Sequence, residues 1–536
     1  MPLVRFPLSR RDFLRAAAAT AALPACAHRP PPAPADALPG SPIRAVTGPA
    51  AGYLGDDPGG AHPILRDGLV AAEVASPREQ VPLVVVGGGV SGLATAWLLR
   101  DHAPLVLERA DQLGGNAKGE IWGDLAYSVG AAYFAEAPRA SLLSRRFYRP
   151  LGLDRAWRVA DGDDTVLARG EVRDGFWGGV TDPARKAEFE RLAAHFRRVL
   201  DEAYPDMPPG EWKVLSDSQL AELDRRSFRE ELVAAAKGPL HPHVEALLQH
   251  YCWSAFGGTL DEVSAAAGLN FYCAEFEGIC ALPGGNSRVA VELLRGLSVP
   301  PRTSTAVARV VPRADGVTVV AVGPEGPYAI DARAVVVACP KFVAARVVSG
   351  VPDDQLVAMR RLRYRAYLVA NVLLDVPGPD DVLGMYLLPD AVPGEVREAS
   401  AGFTDFVVAA WAKGGDPERS VLTLYRALPY DGGRAELLDD GSFAAVRDAF
   451  AAQVAPVLRA LGIAEGHVRE VRVHRWGHPL PLAEPGLVAD GTLALARRPV
   501  GGRVFFVNQD DWALPSLETC LVRALEEEGA IRSALG

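Results

Sequence analysis

The stretch VPLVVVGGGVSGLATAWLLRDHAPLVLE, residues 81–108, decides the fold of this chain. Four apolar residues, Leu83 to Val86, are typical of a buried strand, and they lead directly into Gly87-x-Gly89-x-x-Gly92. The first glycine of such a loop permits a tight turn, the second lets a diphosphate approach backbone N–H groups, and the third lets a helix pack on the strand. The stretch predicts an α/β fold that holds a nucleotide diphosphate at a helix N-terminus.

Glu108 narrows the choice of nucleotide. It ends a second apolar strand, roughly 20 residues after the first glycine, where a carboxylate accepts hydrogen bonds from ribose hydroxyls. A carboxylate at this position disfavours a 2′-phosphate and so argues against NADP. NAD and FAD both remain open on these residues alone.

The residues after Glu108 resemble the flavin-containing amine oxidase superfamily, which includes monoamine and polyamine oxidases, protoporphyrinogen oxidase and phytoene desaturases. Gly114-Gly115 stands at the offset of that family's Gly-Gly pair, and Asn116 replaces the Arg that usually follows it. The likeness recurs in YSVGAAYF (127–134), LPGGNSRVAVELL (282–294), the strand pair after residue 304, ARAVVVACP (332–340) and GGRVFFVNQDDWALPSLETCLVRAL (501–525).

The resemblance implies a bound, extended FAD whose ring lies near the last helix. Free N–H groups at the start of that helix, Ser516 to Thr519, would then face the flavin. Val307 would touch adenine, and Asp510 would contact a phosphate or the ribityl chain. The cofactor-binding residues implied in this way are Gly87, Gly89, Ser91, Gly92, Glu108, Gly114, Gly115, Asn116, Gly130, Val307, Asp510 and Leu517.

The N-terminus carries a separate signal. Ser9-Arg10-Arg11-Asp12-Phe13-Leu14 resembles the twin-arginine export signal, and the apolar run from Ala16 to Ala25 is too short to span a membrane. Leu23-Pro24-Ala25-Cys26 resembles a lipobox, whereas Ala25-Cys26-Ala27 also fits ordinary signal cleavage. We therefore expect export by the twin-arginine machinery, either into the periplasm or as a lipoprotein anchored at Cys26. The Pro-rich run that follows resembles a tether and favours the lipoprotein.

Composition excludes other classes of function. The net charge of −10 without a basic tract argues against a nucleic-acid partner. The cysteines show no zinc spacing, and the irregular group His241, His243, His250 and Cys252 matches no ligand pattern, so no metal is expected. Cys273 and Cys280 form a disulfide only if a turn brings them together.

The expected architecture is a Rossmann-like FAD-binding domain of the amine-oxidase type in three pieces, with a discontinuous mixed α+β substrate domain inserted between them. An apolar stripe from Phe189 to Leu200 predicts a helix in the first insertion, and Gly414-Gly415 predicts a hairpin turn in the second. The expected boundaries are 1–27 (signal), 28–80 (linker and N-terminal extension), 81–140, 281–345 and 476–536 (FAD-binding), and 141–280 and 346–475 (substrate).

The candidate catalytic residues are Arg475 and His478, which lie just before the last FAD-binding strand, and Trp512. Arg475 offers a fork for a substrate carboxylate, and His478 titrates near neutrality, so it is suited to moving a proton. Alternatively, Arg475 pairs with a buried carboxylate and His478 caps a turn. Trp512 is a candidate wall of a substrate tunnel, as are Tyr251, Trp253, Tyr272 and Trp411.

Lysine placement bears on the electron acceptor. Amine oxidases of the family commonly carry a Lys beside the flavin, but residues 361–376, the matching stretch, contain none. This favours a dehydrogenase or desaturase over an enzyme that uses oxygen promptly. Lys341 lies in a different segment, and we expect it to be solvated.

Together these features predict an exported FAD-dependent oxidoreductase that removes a hydride equivalent from a C–N or C–C bond of a small-molecule substrate and passes electrons to an acceptor. Two alternatives remain: an isoprenoid or carotenoid desaturase-like flavoenzyme, and a flavin-binding protein without turnover.

Overall fold

A computed structural model describes residues 35–59, 79–135, 141–161, 164–209, 214–379, 381–388, 402–416 and 418–536. The export signal and Cys26 lie outside the described residues. Among the helices of these ranges, none is both long and apolar enough to cross a bilayer.

Twenty strands are assigned in the described ranges. They are β1 Ile43–Ala45, β2 Leu54–Gly55, β3 Glu79–Val86, β4 Leu105–Leu107, β5 Gly119–Trp122, β6 Leu125–Ser128, β7 Tyr133–Ala135, β8 Arg158–Asp161, β9 Val166–Ala168, β10 Glu171–Arg173, β11 Gly278–Ala281, β12 Ala306–Pro312, β13 Val317–Gly323, β14 Gly326–Val337, β15 Tyr364–Leu374, β16 Gly384–Leu388, β17 Asp405–Val408, β18 Ser420–Ala427, β19 Val468–Pro481 and β20 Val504–Phe506.

The α-helices follow the same chain order. They are α1 Val90–Leu98, α2 Lys186–Glu202, α3 Asp217–Asp224, α4 Phe228–Ala236, α5 Pro242–Phe256, α6 Ala265–Glu277, α7 Ser287–Arg295, α8 Lys341–Val347, α9 Asp353–Arg361, α10 Ala409–Lys413, α11 Gly433–Glu436, α12 Phe443–Ala460, α13 Thr492–Ala496 and α14 Leu517–Leu535.

The predicted nucleotide-binding strand lies inside a six-stranded sheet. The order is β12-β13-β14-β3-β4, and β20 pairs with β14. Strand β3 runs parallel to both β4 and β14, and its residues Leu83 to Val86 are buried. A parallel strand covered on both faces needs a continuous apolar run, which explains the pattern in the sequence. The α/β class and the strand-to-helix turn at Gly87 are confirmed.

A second, mostly antiparallel sheet has eight strands in the order β10-β9-β16-β17-β18-β15-β19-β2. Its centre is β15, in which every residue is buried. The predicted pairing of β17 with β18 is confirmed, but the short helix α10 precedes Gly414 and Gly415, so the connection is not a simple hairpin.

Helices α2 to α6 share one hydrophobic cluster, and α5 packs against β16 and β18 of this sheet. The predicted stripe on α2 is confirmed for Phe189, Leu192, Ala193 and Phe196, whereas its last buried position is Val199 rather than Leu200. The possible Cys273–Cys280 disulfide does not form. Both residues are free thiols, because Cys273 on α6 and Cys280 on β11 pack into different hydrophobic clusters.

A segment ahead of the nucleotide-binding unit ties the two parts of the fold together. Strand β1 pairs with β5, with Ile43 opposite Gly119, and β2 pairs with β19, with Leu54 opposite His474. Residues 43–55 therefore form part of the folded body.

Candidate functional site

A cavity of about 1080 Å³ opens where β3 ends and α1 begins. The carboxyl ends of parallel strands are where open α/β sheets bind ligands. One part of the lining is rich in glycine and comes from β3, α1 and the loop after β4. The other part comes from β7, α5, α6, β15 and the start of α14. The volume exceeds that of a typical pocket for one small ligand, which suits a cofactor together with a substrate.

The glycine turn is sterically required. Gly87 has φ +109°, and a β-carbon there would lie 2.6 Å from the carbonyl oxygen of Ala338. A β-carbon on Gly92 would lie 2.0 Å from the carbonyl oxygen of Gly87. Gly92 thus permits α1 to pack against the strand, and it lies behind the cavity lining rather than in it.

The N-terminus of α1 is open to the cavity. Gly89, Val90 and Ser91 line it, and no side chain caps the first turn of the helix. Unpaired N–H groups and the positive end of the helix dipole make such a terminus a site for an anion. The cradle therefore fits the diphosphate of a dinucleotide.

Glu108 lines the same part of the cavity and is held by backbone groups. The N–H of Gly88 donates to its Oε2 at 2.7 Å, and the N–H of Ala110 donates to its Oε1 at 2.9 Å. Each oxygen keeps a further lone pair, so the fixed carboxylate can still accept bonds from ribose hydroxyls.

The Gly-Gly pair forms the facing wall. Gly114 bridges to Gly89, and a β-carbon on Gly115 would lie 3.0 Å from the Cα of Gly89. The side chain of Asn116 donates to the carbonyl of Pro479 at 2.9 Å, and a β-carbon on Gly130 would lie 2.1 Å from the carbonyl oxygen of Asn116. Small residues here keep the walls close and leave the space between them to a ligand.

The start of α14 differs from expectation in one respect. Ser516 and Leu517 line the cavity, but the N–H of Thr519 donates to Ser516 Oγ at 3.0 Å and is not free. Glu518 also lines the cavity and accepts a hydrogen bond from the N–H of Ala135 at 2.7 Å. Burial raises the pKa of Glu518.

Asp510 and Lys341 lie elsewhere than expected. Asp510 is fully buried and lies outside the lining, because Lys341 Nζ donates to it at 2.7 Å and the hydroxyl of Tyr364 at 2.6 Å. Lys341 also contacts Asp511, which in turn binds Arg523. The expectation that Lys341 is solvated is wrong, since its side chain is 0% exposed.

The aromatic residues that line the cavity also differ from those expected from the sequence. Trp512 is buried under the guanidinium of Arg497, 4.3 Å from the ring centroid. Trp512, Tyr251, Trp253, Tyr272 and Trp411 all lie in the core, outside the lining described. The rings that do line the cavity are those of Tyr133, Phe134, Tyr204, Phe271, Phe342, Tyr367, Tyr425 and Trp476.

Two of these rings, Trp476 and Tyr425, hold the loop that carries Gly130, and Trp476 stands inside a stretch already singled out in the sequence. Trp476 separates Arg475 from His478, and its Nε1 donates to the carbonyl of Val129 at 3.0 Å. The hydroxyl of Tyr425 donates to the carbonyl of Gly130 at 3.0 Å. Both rings therefore fix the loop that carries Gly130.

Arg475 and His478 both line the cavity. Arg475 donates to Asp440 at 2.6 Å and to the carbonyl of Leu437 at 2.8 Å, so its fork is already used within the protein. Its carboxylate partner is 79% exposed rather than buried. The ring of His478 lies 4.4 Å from that of Phe342 in a tilted stack.

An acidic group at the aromatic end was missed. Glu275, on α6, lines the cavity, and the hydroxyl of Tyr133 lies 3.5 Å from its Oε2. Burial raises the pKa of Glu275 to about 8. The charge of Glu518 adds to the rise, while the hydroxyls of Tyr251 and Tyr133 oppose it. The sequence pattern around Glu275 does not predict its position in the cavity, because the residues that surround its side chain come from distant segments of the chain.

Comparisons with known proteins agree with this geometry. The family model described as flavin containing amine oxidoreductase matches residues 90–510, and the model of the twin-arginine translocation signal sequence matches residues 7–25. The oxidoreductase PigB of Serratia sp. (strain ATCC 39006) is 25% identical over 516 residues, covering 85% of this chain and 76% of PigB.

Solved structures show the same fold. Putrescine oxidase bound to putrescine superposes with a TM-score of 0.63 at 16% identity, over 85% of this chain and 99% of that one. Cyclohexylamine oxidase from Brevibacterium oxydans IH-35A superposes with a TM-score of 0.60 at 18% identity, over 84% and 99%.

Proposed function

This chain belongs to the flavin-containing amine oxidoreductases and is an FAD-dependent oxidoreductase, and we propose that it oxidises a C–N bond of a small nitrogen-containing substrate. A bound flavin supplies the ring that accepts a hydride equivalent. The protein's part is to hold that ring, orient the substrate and control the proton on nitrogen.

We propose that the glycine-rich part of the cavity holds the adenosine diphosphate half of FAD and the loop at Gly130 holds its ring. The open N-terminus of α1 and the fixed carboxylate of Glu108 support this placement. Gly92 contributes by letting α1 pack against β3, and Asp510 contributes by holding the first turn of α8 through Lys341. The proposed direct contacts are Gly87, Gly89, Ser91, Glu108, Gly114, Gly115, Asn116, Gly130, Val307 and Leu517.

Glu275 is the observation that favours a C–N bond over a C–C bond. An enclosed carboxyl group is costly unless it finds a polar partner. A hydrocarbon substrate would offer Glu275 no polar partner beyond the hydroxyls of Tyr133 and Tyr251, whereas a nitrogen base offers it an N–H donor or a positive charge. Glu518, also in the lining, strengthens this preference.

Anaerobic reduction of the flavin tests the proposal. Cyclohexylamine, putrescine and pyrrolidine are added in turn to the purified, FAD-loaded protein, and farnesol is added as the isoprenoid comparison. We expect at least one amine to bleach the visible flavin band, and Glu275→Gln to slow that bleaching at least tenfold. Bleaching by farnesol alone would overturn the proposal.

We further propose an electron acceptor other than oxygen, on the basis of the lysine-free stretch 361–376. The buried ion pairs of Lys341 keep that ammonium away from the lining and support this view. In a stopped-flow experiment, reduced protein mixed with air-saturated buffer should reoxidise slowly. Reoxidation as fast as substrate reduction contradicts the proposal.

The twin-arginine signal directs the chain to export, and we propose that the exported form is a lipoprotein attached through Cys26. Intact mass of the exported protein distinguishes the two forms. A diacylglyceryl adduct on Cys26 supports the anchor, and an unmodified N-terminus at His28 rejects it.

A further inference from the structure

Lys118 is a buried cation without a charged partner. It lies immediately before β5, is 8% exposed and lines the cavity. In the part of the chain that the structure describes, its ammonium makes no hydrogen bond or ion pair, and Nζ lies 5.6 Å from the centroid of the Trp476 ring. Burial lowers the pKa of Lys118, although Glu108 and Asp56 partly offset the effect.

The other cations of the lining are already engaged. Arg109 pairs with Asp56 at 3.2 Å, and Arg475 pairs with Asp440 at 2.6 Å. Arg434 donates to the carbonyl of Tyr364 at 2.8 Å. Lys118 therefore differs from these three, since it lines the cavity without an ionic or hydrogen-bonding partner among the described residues.

A buried ammonium destabilises a protein unless an anion meets it. At neutral pH the diphosphate is the anionic group of oxidised FAD. Asn116, two residues before Lys118, has a neutral side chain that is tied to Pro479. The wall after the Gly-Gly pair thus obtains its positive charge from Lys118.

We infer that Lys118 neutralises the diphosphate of FAD, taking over the charge that Asn116 does not carry. The inference rests on the proposed placement of FAD in this cavity. It makes Lys118 a residue that selects for the phosphorylated form of the cofactor rather than for the flavin ring.

The experiment compares FAD with riboflavin, which has the ring but no phosphate. The full-length chain is freed of flavin and titrated with each, and binding is followed by quenching of flavin fluorescence. Lys118→Met should weaken FAD binding at least tenfold and change riboflavin binding less than twofold. Lys118→Arg should stay within about threefold of the wild type, and Asn116→Arg combined with Lys118→Met should recover most of the loss. Lys186→Met, on the surface of α2, is the matched control.

Thermal unfolding provides a second readout that does not depend on activity. Without FAD, Lys118→Met should melt at or above the wild-type temperature, because an unpaired buried charge is removed. With saturating FAD it should melt below the wild type. A wild-type protein that binds no FAD would end the proposed placement itself. Normal FAD binding by Lys118→Met, equal losses for FAD and riboflavin, or a lower melting temperature without FAD would each overturn the role of Lys118.

Discussion

Lys341 Nζ donates to Asp510 Oδ1 across 2.7 Å, and neither side chain is exposed to solvent. The pair joins the first turn of α8 to the turn before α14, two segments 169 residues apart. Asp511 and Arg523 complete the network, so two buried carboxylates face two buried cations.

Removing the ammonium group of Lys341 should strongly destabilise the folded protein. We expect Lys341→Met to lower the free energy of unfolding by about 3–5 kcal/mol, because Asp510 then has no cation and Asp511 keeps only Arg523. Urea unfolding of the FAD-loaded protein measures the change. Lys186→Met, whose partner Glu190 is 56% exposed, should cost under about 1 kcal/mol. Equal effects of the two substitutions would show that the buried network adds nothing special.

The raised pKa of Glu275 predicts a dependence of stability on pH. Its pKa is about 8 in the folded protein and 4.5 ordinarily, so between these values the folded state binds a proton that the unfolded chain has released. The free energy of unfolding therefore falls as pH rises through this window, by up to about 1.4 kcal/mol per pH unit.

Glutamine cannot titrate. The free energy of unfolding of Glu275→Gln, relative to that of the wild type, should therefore rise by about 3 kcal/mol from pH 5 to pH 8.5. Urea unfolding at several pH values checks this, with Glu222→Gln on the exposed side of α3 as the control. Parallel profiles for wild type and Glu275→Gln would refute the assignment. The groups that act on the pKa of Glu275 are Tyr133, Tyr251, Glu518 and Asp164, and all are retained in the variant.

A methyl group at Gly92 should damage the nucleotide-binding turn. Its carbon would lie 2.0 Å from the carbonyl oxygen of Gly87, so α1 must shift away from β3. We expect Gly92→Ala to cost about 1–3 kcal/mol and to reduce the FAD content of the purified protein.

Gly529→Ala is the matched control, because that helical glycine has open space around it. It should raise stability by about 0.5–1 kcal/mol without changing FAD content. Full FAD occupancy in Gly92→Ala would show that the turn tolerates a side chain.

The twin-arginine signal predicts where the flavin is acquired. FAD is made in the cytoplasm and can enter only a folded cavity, so loading should precede export. Replacing Arg10 and Arg11 with Lys should leave full-length, flavin-loaded protein in the cytoplasm, as judged by fractionation and absorbance. Arg5→Lys, outside the motif, should be exported normally. Flavin-free protein outside the cell that is loaded only afterwards would break this order.

The sequence predictions that the structure confirms rest on residues that are close together in the chain. The strand before Gly87, the turn and Glu108 are consecutive in the chain, so their spacing alone defines the geometry. The buried stripe of α2 follows helical periodicity for the same reason.

Long-range pairing accounts for the errors. Nothing near Lys341 in the sequence shows that two aspartates of a distant turn will meet it, and Asp510 was assigned to the cofactor for the same reason. In the sequence, Lys118 stands out only as a lysine two residues after Asn116, the position where the family usually has an arginine. Its meaning emerges only when the cavity and its other charges are known.

The pairing of β2 with β19 sets an order of assembly. Arg475 donates to the carbonyl of Asp56 across a separation of 419 residues, so β2 docks only once nearly the whole chain has been synthesised, whereas β1 pairs with β5 much closer in the chain. Closing so long a loop belongs to the slow, late stage of folding. Strand β2, near the start of the folded body, therefore obtains its partner strand from residues near the other end of the chain. A polypeptide truncated before residue 468 would therefore leave β2 without its partner strand.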